Sequence, residues 1–371
     1  MIVETENEIY ETELELLQIE ITGCCNMKCK HCRAAFQPKN YISLEQANKI
    51  FDFANSVKSE NFKLNLSGGE PFMHPKLYDI LKLAVEKGIN EVVITSNASL
   101  ITDDWLKKLS ELKFKFLCIQ VSMDSVDENE HDKFRNYQGA FKKCNEVLEK
   151  IENYSNINSS IRMTVTKDTI EQVDKMIEYA VLKKCKILGI SSVIPFGKAQ
   201  DGNLSFKNHE KMKLMDLIIN KREQYNDKIE IVTEDPLKFP MLYDKNKLNF
   251  NIDITDSCVF GGCTAGISSL NINSDGSVTP CSMMDELVFN INDCNDVDEM
   301  IQKYQNSEII KKLFSKKYLG KCGNCYLKQI CGGCRAVAKA YTDNFMGSDL
   351  SCWRKNEKLW FTYSYWNLWR K

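Results

Sequence analysis

Cys25, Cys29 and Cys32 lie in the run Cys25-Asn26-Met27-Lys28-Cys29-Lys30-His31-Cys32, a C-x3-C-x2-C spacing. Three thiolates this close can each hold one iron of a four-iron cluster, and they cannot complete its four-cysteine ligation. The fourth iron is left open to bind something else, which separates a catalytic cluster from a plain electron carrier. Cys24 also precedes Cys29, but the Cys-Asn pair and the three-residue gap favour Cys25 as the ligand. Cys24 reads as a small packing residue.

A second cysteine set lies towards the C-terminus. Cys322, Cys325, Cys331 and Cys334 form a dense run, with Cys258, Cys263 and Cys281 upstream and Cys352 downstream. Paired C-x-x-C units of this kind bind zinc or iron–sulfur clusters. The chain holds 16 cysteines in 371 residues. A reducing compartment disfavours disulfides, so clustered cysteines there point to metal. Cys118, Cys144, Cys185 and Cys294 fall outside the patterns, as does Cys24, and read as buried small hydrophobes.

Composition bounds the setting. Hydrophobic residues make up 43% and charged residues 27%, which suits a globular enzyme. The formal net charge of −2 gives no reason to expect nucleic acid or a membrane surface as partner. The Glu-rich N-terminus lacks a basic-then-apolar signal segment, and no run of 18 apolar residues could span a bilayer. A cytoplasmic protein is expected.

The elements that must position these cysteines alternate. Strand-like runs fall at 16–22, 62–67, 91–95, 116–123, 160–166 and 187–194. Helix-like runs fall at 44–57, 77–86, 103–112, 140–151 and 170–183, the first opened by Ser43 as N-cap with Gln46 three residues on. Strand-helix units in this order predict a parallel sheet, and ligands on the loops after strands fit a partial barrel with its site at the strand C-termini. The expected fold is therefore α/β: a partial barrel over 13–205, a bridging helical segment over 206–250, and a small cysteine-rich domain over 251–371. The aromatic stretch from Trp360 to Trp369 is expected to pack on the barrel.

The run Ile21-Thr22-Gly23-Cys24-Cys25-Asn26-Met27-Lys28-Cys29-Lys30-His31-Cys32 resembles the signature loop of the radical S-adenosylmethionine (SAM) enzymes. In that family the open iron binds the SAM amino and carboxylate groups, and the reduced cluster cleaves SAM to methionine and a 5′-deoxyadenosyl radical. The resemblance implies a (βα)6 barrel. Ser67-Gly68-Gly69-Glu70-Pro71 resembles the family's Gly-Gly-Glu motif, which contacts the SAM amino group. Asn97 ends the third strand, where the family often carries Thr-Asn-Gly. Ser122-Met123-Asp124 resembles its Ser-Leu-Asp segment, and by that analogy Ser122 and Arg135 help hold the SAM ribose and carboxylate. An Arg guanidinium also matches a carboxylate fork on its own chemistry. Val193 and the apolar residues after it are candidates to pack against adenine. His31 stands where the family usually has an aromatic near the adenine, and is taken as a contact residue only.

The order Cys258, Cys263, Gly276-x4-Cys281, Cys322-x2-Cys325-x5-Cys331-x2-Cys334, Cys352 resembles the SPASM domain, a C-terminal extension of many radical SAM enzymes. The family's last spacing in the dense run is three residues, where this chain has two. By analogy Cys258, Cys263, Cys281 and Cys334 would hold one auxiliary four-iron cluster, and Cys322, Cys325, Cys331 and Cys352 another. With the N-terminal site that makes three [4Fe-4S] clusters and SAM as cofactors. Two structural zinc sites are the alternative for these eight residues.

SPASM enzymes mostly modify peptides, so the resemblance implies an oxidative peptide maturase forming a thioether or carbon–carbon crosslink. The segment Cys331-Gly-Gly-Cys334-Arg335-Ala336 resembles a subgroup that includes the pyrroloquinoline-quinone and mycofactocin maturases and certain haem-pathway enzymes. Ser282 occupies a position where sulfatase-modifying relatives carry Asp, which counts against that activity. A flavodoxin or ferredoxin would supply electrons. About twenty residues precede the first motif, which leaves no room for the N-terminal recognition domain of some maturases. Either a separate protein delivers the peptide or none is needed. Two other readings stand beside this one: a tetrapyrrole side-chain enzyme, and a non-catalytic iron–sulfur carrier or zinc module.

Overall fold

The structure is a computed structural model that describes residues 1–245 and 261–354. Cys258 and the aromatic tail lie outside the described residues.

One sheet organises the fold. Strands β1 (Ile2–Glu4) and β2 (Ile9–Glu11) form a separate antiparallel hairpin. Strands β3 (Leu14–Thr22), β4 (Lys58–Gly68), β5 (Glu91–Ser96), β6 (Phe116–Ser122), β7 (Asn158–Val165) and β8 (Ile187–Ser192) then pair in chain order, all parallel. These are the six strands that the apolar periodicity predicts. Along β3, Leu17, Ile19 and Ile21 are buried in the main core with Ile50, Phe51 and Ala54 of the helix Leu44–Val57. The alternate residue Gln18 lines an internal chamber, as do Asn65, Thr95, Gln120, Arg162, Thr164 and Ser191 of the following strands. Parallel sheets are usually apolar on both faces. A polar inner face instead marks a space built for ligands.

The first helix starts as expected. Ser43 Oγ accepts from Gln46 N at 3.1 Å, and the Gln46 side chain accepts from Ser43 N at 2.8 Å. The expected helical run 170–183 is divided, with a short 3-10 turn at Ile170–Gln172 before the α-helix Val173–Leu182. Glu128–Arg135 forms a helix of its own, capped by Asp127 and ended by Asn136 at φ +49°. It brings Arg135 to the chamber.

The sheet extends beyond six strands at both edges. In the 206–250 segment the helix Asn208–Gln224 is followed by β9 (Glu230–Val232), parallel to β8. Strand β10 (Ser269–Ile272) lies parallel to β3, and β11 (Ser277–Thr279) and β12 (Phe289–Asn290) follow antiparallel. The cysteine-rich region thus continues the barrel's own sheet, covering the β3 edge that would otherwise expose unpaired backbone groups. Three- and four-residue strands are too short for alternation to reveal. Among the described residues no helix is long and apolar enough to cross a membrane.

Candidate active site

The cysteine loop leaves the C-terminal end of β3 and is held by backbone contacts from three other places. Lys30 N donates to Phe134 O at 3.0 Å, Lys198 N donates to Cys32 O at 3.0 Å, and Glu70 N donates to Cys24 O at 2.8 Å. Two glycines make this approach possible. A Cβ on Gly69 would lie 2.1 Å from Cys24 O, and one on Gly197 (φ +59°) would lie 2.5 Å from Cys32 O. Cys25, Cys29 and Cys32 pack around Met27 and Ala140 and line a chamber of about 490 Å³. Cys24 does not line it; its sulfur lies 3.9 Å from Lys39 O.

Burial pushes the Cys25 thiol up to about 12 and raises that of Cys32. Such thiols become thiolates only beside strong positive charge, which iron supplies. Among the described residues no three ligand side chains converge as a single metal ion requires. Three cysteines spread around one chamber fit a cluster, in which each thiolate holds a different iron.

The motif residues gather here, though not all face inward. Gly68, Gly69, Asn97, Ser122, Arg135, His31 and Val193 line the chamber with the three cysteines. Glu70 does not. Its carboxylate accepts from Ser96 Oγ at 2.7 Å, Asn97 N at 2.8 Å and Phe72 N at 3.2 Å, and burial pushes it up to about 7. It is a clamp that fixes the end of β5. Asn97, so placed, donates to Asn26 Oδ1 at 3.0 Å within the cysteine loop.

Asp124 is likewise a support. Its Oδ2 lies 2.7 Å from Arg135 Nη2, and its Oδ1 accepts from Thr164 N at 2.9 Å. Burial works to raise its carboxyl, but the Arg135 guanidinium, His31, His131 and the Thr164 N–H together outweigh burial and hold it below the usual carboxylate range. Arg135 reaches to 3.9 Å from Cys29 Sγ, and its buried Nε has no partner among the described residues. A donor without a partner suits a ligand carboxylate. His31 stacks on Phe134 with ring centroids 4.6 Å apart, and burial lowers its imidazole to about 4, so the ring is neutral.

Sequence reasoning missed several chamber residues. Arg33 pairs with fully buried Glu20 and contacts Ser67 Oγ and Ser282 O. The signal was Glu20 set between Ile19 and Ile21 on the strand. Lys211, on the helix after β8, pairs with Asp235, and Ser192 donates to Asp235 Oδ2 at 3.1 Å. Arg162 lines the chamber without an ion-pair partner among the described residues, beside Gly189 in register on β8.

The second cysteine set divides in space. Cys263, Cys281 and Cys334 line the same chamber as the N-terminal three. Cys322, Cys325, Cys331 and Cys352 line a separate, smaller cavity. This is the division that the interleaved pattern implies, with Cys258 outside the described residues. The two groups touch where Gly262 (φ +86°) passes Cys331, so closely that a Cβ would lie 2.2 Å from its carbonyl oxygen. Asp349 secures the turn, accepting from Cys334 N and Ser351 N, each at 2.9 Å.

Residues 19–180 match the Radical SAM superfamily, and residues 263–326 match the SPASM iron-sulfur cluster-binding domain. The chain therefore belongs to the radical SAM enzymes that carry a SPASM domain, and its cofactors are SAM and iron–sulfur clusters. Among its relatives is the AdoMet-dependent heme synthase of Methanosarcina barkeri, 28% identical over 91% of this chain and 95% of that protein. The antilisterial bacteriocin subtilosin biosynthesis protein AlbA of Bacillus subtilis is 25% identical over 92% of this chain and 71% of that one. Streptococcus suis SuiB, solved bound to its precursor peptide SuiA, shares the fold with a TM-score of 0.72 at 17% identity, covering 94% of this chain and 76% of that one.

Proposed function

We propose that this enzyme oxidises a peptide, using a SAM-derived radical to remove a side-chain hydrogen and leaving a thioether or carbon–carbon crosslink. The observation that carries this reading is the shared chamber, bounded by Cys25, Cys29 and Cys32 and also by Cys263, Cys281 and Cys334. A substrate placed there lies between a radical source and a second cysteine set. Cys25, Cys29 and Cys32 would hold the open cluster, which supplies the electron that cleaves SAM. The other two sets would hold two auxiliary clusters, which makes three clusters in all, with Cys258 as the fourth ligand beside Cys263, Cys281 and Cys334. Asn97, Ser122 and Arg135 orient SAM, while Glu70 and Asp124 hold them in place.

The lining favours a peptide side chain as substrate. Arg33, Arg135 and Arg162 are matched in number by Glu15, Glu234 and Asp235. A substrate with many carboxylates would call for a more basic wall. The second reading, a tetrapyrrole side chain as substrate, draws on the heme synthase relatives, which match this chain nearly end to end. The two separate in one experiment. Reconstituted enzyme, SAM and a low-potential reductant are incubated anaerobically with a peptide encoded beside its gene, and the peptide is weighed by mass spectrometry. Loss of two hydrogens supports the peptide reading. An unchanged peptide, with an iron tetrapyrrole altered in a parallel reaction, overturns it.

A further inference from the structure

Two cations are buried in the cysteine-rich region without a carboxylate partner among the described residues. Arg335 is 1% exposed, the largest of the fully buried side chains. Its Nη1 donates to Phe345 O and Gly347 O, each at 2.8 Å, its Nε to Gly333 O at 3.3 Å, and its Nη2 to Gly332 O. The guanidinium lies 4.2 Å over the Tyr318 ring. Carbonyls and a ring face satisfy its donors, but they do not neutralise its charge. Lys316 is 4% exposed, and its ammonium is held by Gly261 O and Gln329 O. Neither side chain forms an ion pair among the described residues. The nearby Asp349 directs its hydrogen bonds to Cys334 N, Ser351 N and Ser351 Oγ and forms no ion pair with either cation. Residues 309–342 contain eight Lys or Arg and no Asp or Glu, so positive charge predominates around both.

Burying an unpaired cation is costly, and such groups persist only where another charge compensates them. Arg335 is aimed at cysteine sulfur, and Lys316, held by the two carbonyls, lies near it. Arg335 Nη2 lies 3.8 Å from Cys322 Sγ. Lys316 lies close enough to Cys263 and Cys331 for both to act on its charge. A four-iron cluster on four thiolates carries net negative charge and gains one more on reduction. Nearby positive charge and donors to the sulfurs therefore favour the reduced state.

We propose that Arg335 and Lys316 are the built-in counter-charges of the auxiliary clusters and hold their reduction potentials high enough to accept an electron. This rests on reading the second cysteine set as cluster ligands. Both act through the sulfurs and are positioning residues. Such a role matches an oxidative reaction, in which one substrate hydrogen leaves as an atom, a second as a proton, and one electron must be taken up.

The test is a redox titration followed by electron paramagnetic resonance on the reconstituted full chain. Cys25, Cys29 and Cys32 are replaced by Ala to remove the first cluster's signal. Arg335→Gln should lower the reduced-to-oxidised ratio of one auxiliary signal about tenfold at fixed potential, about 59 mV for a one-electron couple. Arg335→Lys, which keeps the charge, should restore most of that ratio, and Lys316→Met should shift it in the same direction as Arg335→Gln. An unchanged ratio in Arg335→Gln at full iron content overturns the proposal. If Arg335→Gln fails to hold iron, Arg335→Lys decides: iron retained supports a counter-charge, and iron lost in both overturns it. A parent that binds no iron at these cysteines contradicts the cluster reading beneath the proposal, an outcome distinct from an unshifted potential.

Discussion

Replacing Glu70 by Gln should destabilise the chain by an amount that falls as pH rises. In the fold, burial lifts this carboxyl from an ordinary 4.5 to about 7, against the donors Asn97 N, Ser96 Oγ and Phe72 N. A raised acid favours its neutral form. Its contribution to stability is fully present below pH 4.5, declines as pH rises towards 7, and is constant above. The gap corresponds to about 3 kcal/mol by linkage. Gln keeps the shape of the neutral acid but turns an NH2 towards donors, at a cost of about 1–3 kcal/mol. At pH 5, just above the ordinary value, most of the cost should appear. At pH 8 wild type bears its own charge burial, so the deficit should shrink by about 3 kcal/mol and approach or cross zero. Urea denaturation of metal-free wild type and variant under reductant, at both pH values, reads this difference. Other titrating groups cancel between the two proteins. The same deficit at pH 5 and pH 8 would refute the reasoning, because it would mean that the donors and not burial govern this carboxyl.

Two further perturbations probe the chamber wall. Arg33→Ala leaves Glu20, whose side chain is fully buried, without its partner; it should cost about 3–5 kcal/mol in denaturation, while Glu20→Gln/Arg33→Met together should cost much less. Gly69→Ala drives a Cβ into the Cys24 carbonyl and should lower iron loading at the N-terminal site. An iron count equal to wild type would show that the loop can yield there.

What could be read in the chain depended on how locally each feature is encoded. The N-terminal cysteines span eight residues, and their spacing alone constrains the ligands. The six central strands are long enough for alternation to mark them, and the Ser43–Gln46 cap is contained within four residues. The division of Cys263, Cys281 and Cys334 from Cys322, Cys325, Cys331 and Cys352 was implied only by the resemblance to the SPASM pattern, since chain order alone would group Cys334 with its neighbours. Direction was not legible. Glu70 and Asp124 occupy motif positions, yet both point into the fold, because each is claimed by buried donors on a neighbouring strand. Pairs closed by the tertiary fold were invisible for the same reason. Arg33 of the cysteine loop meets Glu20 of β3 only once the loop folds back, and Lys211 of the helix Asn208–Gln224 meets Asp235 only once that helix packs beside the end of β9. Strands β9 and β10 exist because the sheet has edges to cover, a tertiary fact that three or four residues cannot announce.

The measurement that tests the account most directly is the amount of 5′-deoxyadenosine formed by the reconstituted enzyme with SAM and a low-potential reductant, without oxygen. The account predicts formation in wild type and its loss in Cys32→Ala, while the iron held by the second cysteine set is retained. No 5′-deoxyadenosine from a wild-type chain carrying its full iron, or equal amounts from both proteins, would contradict it.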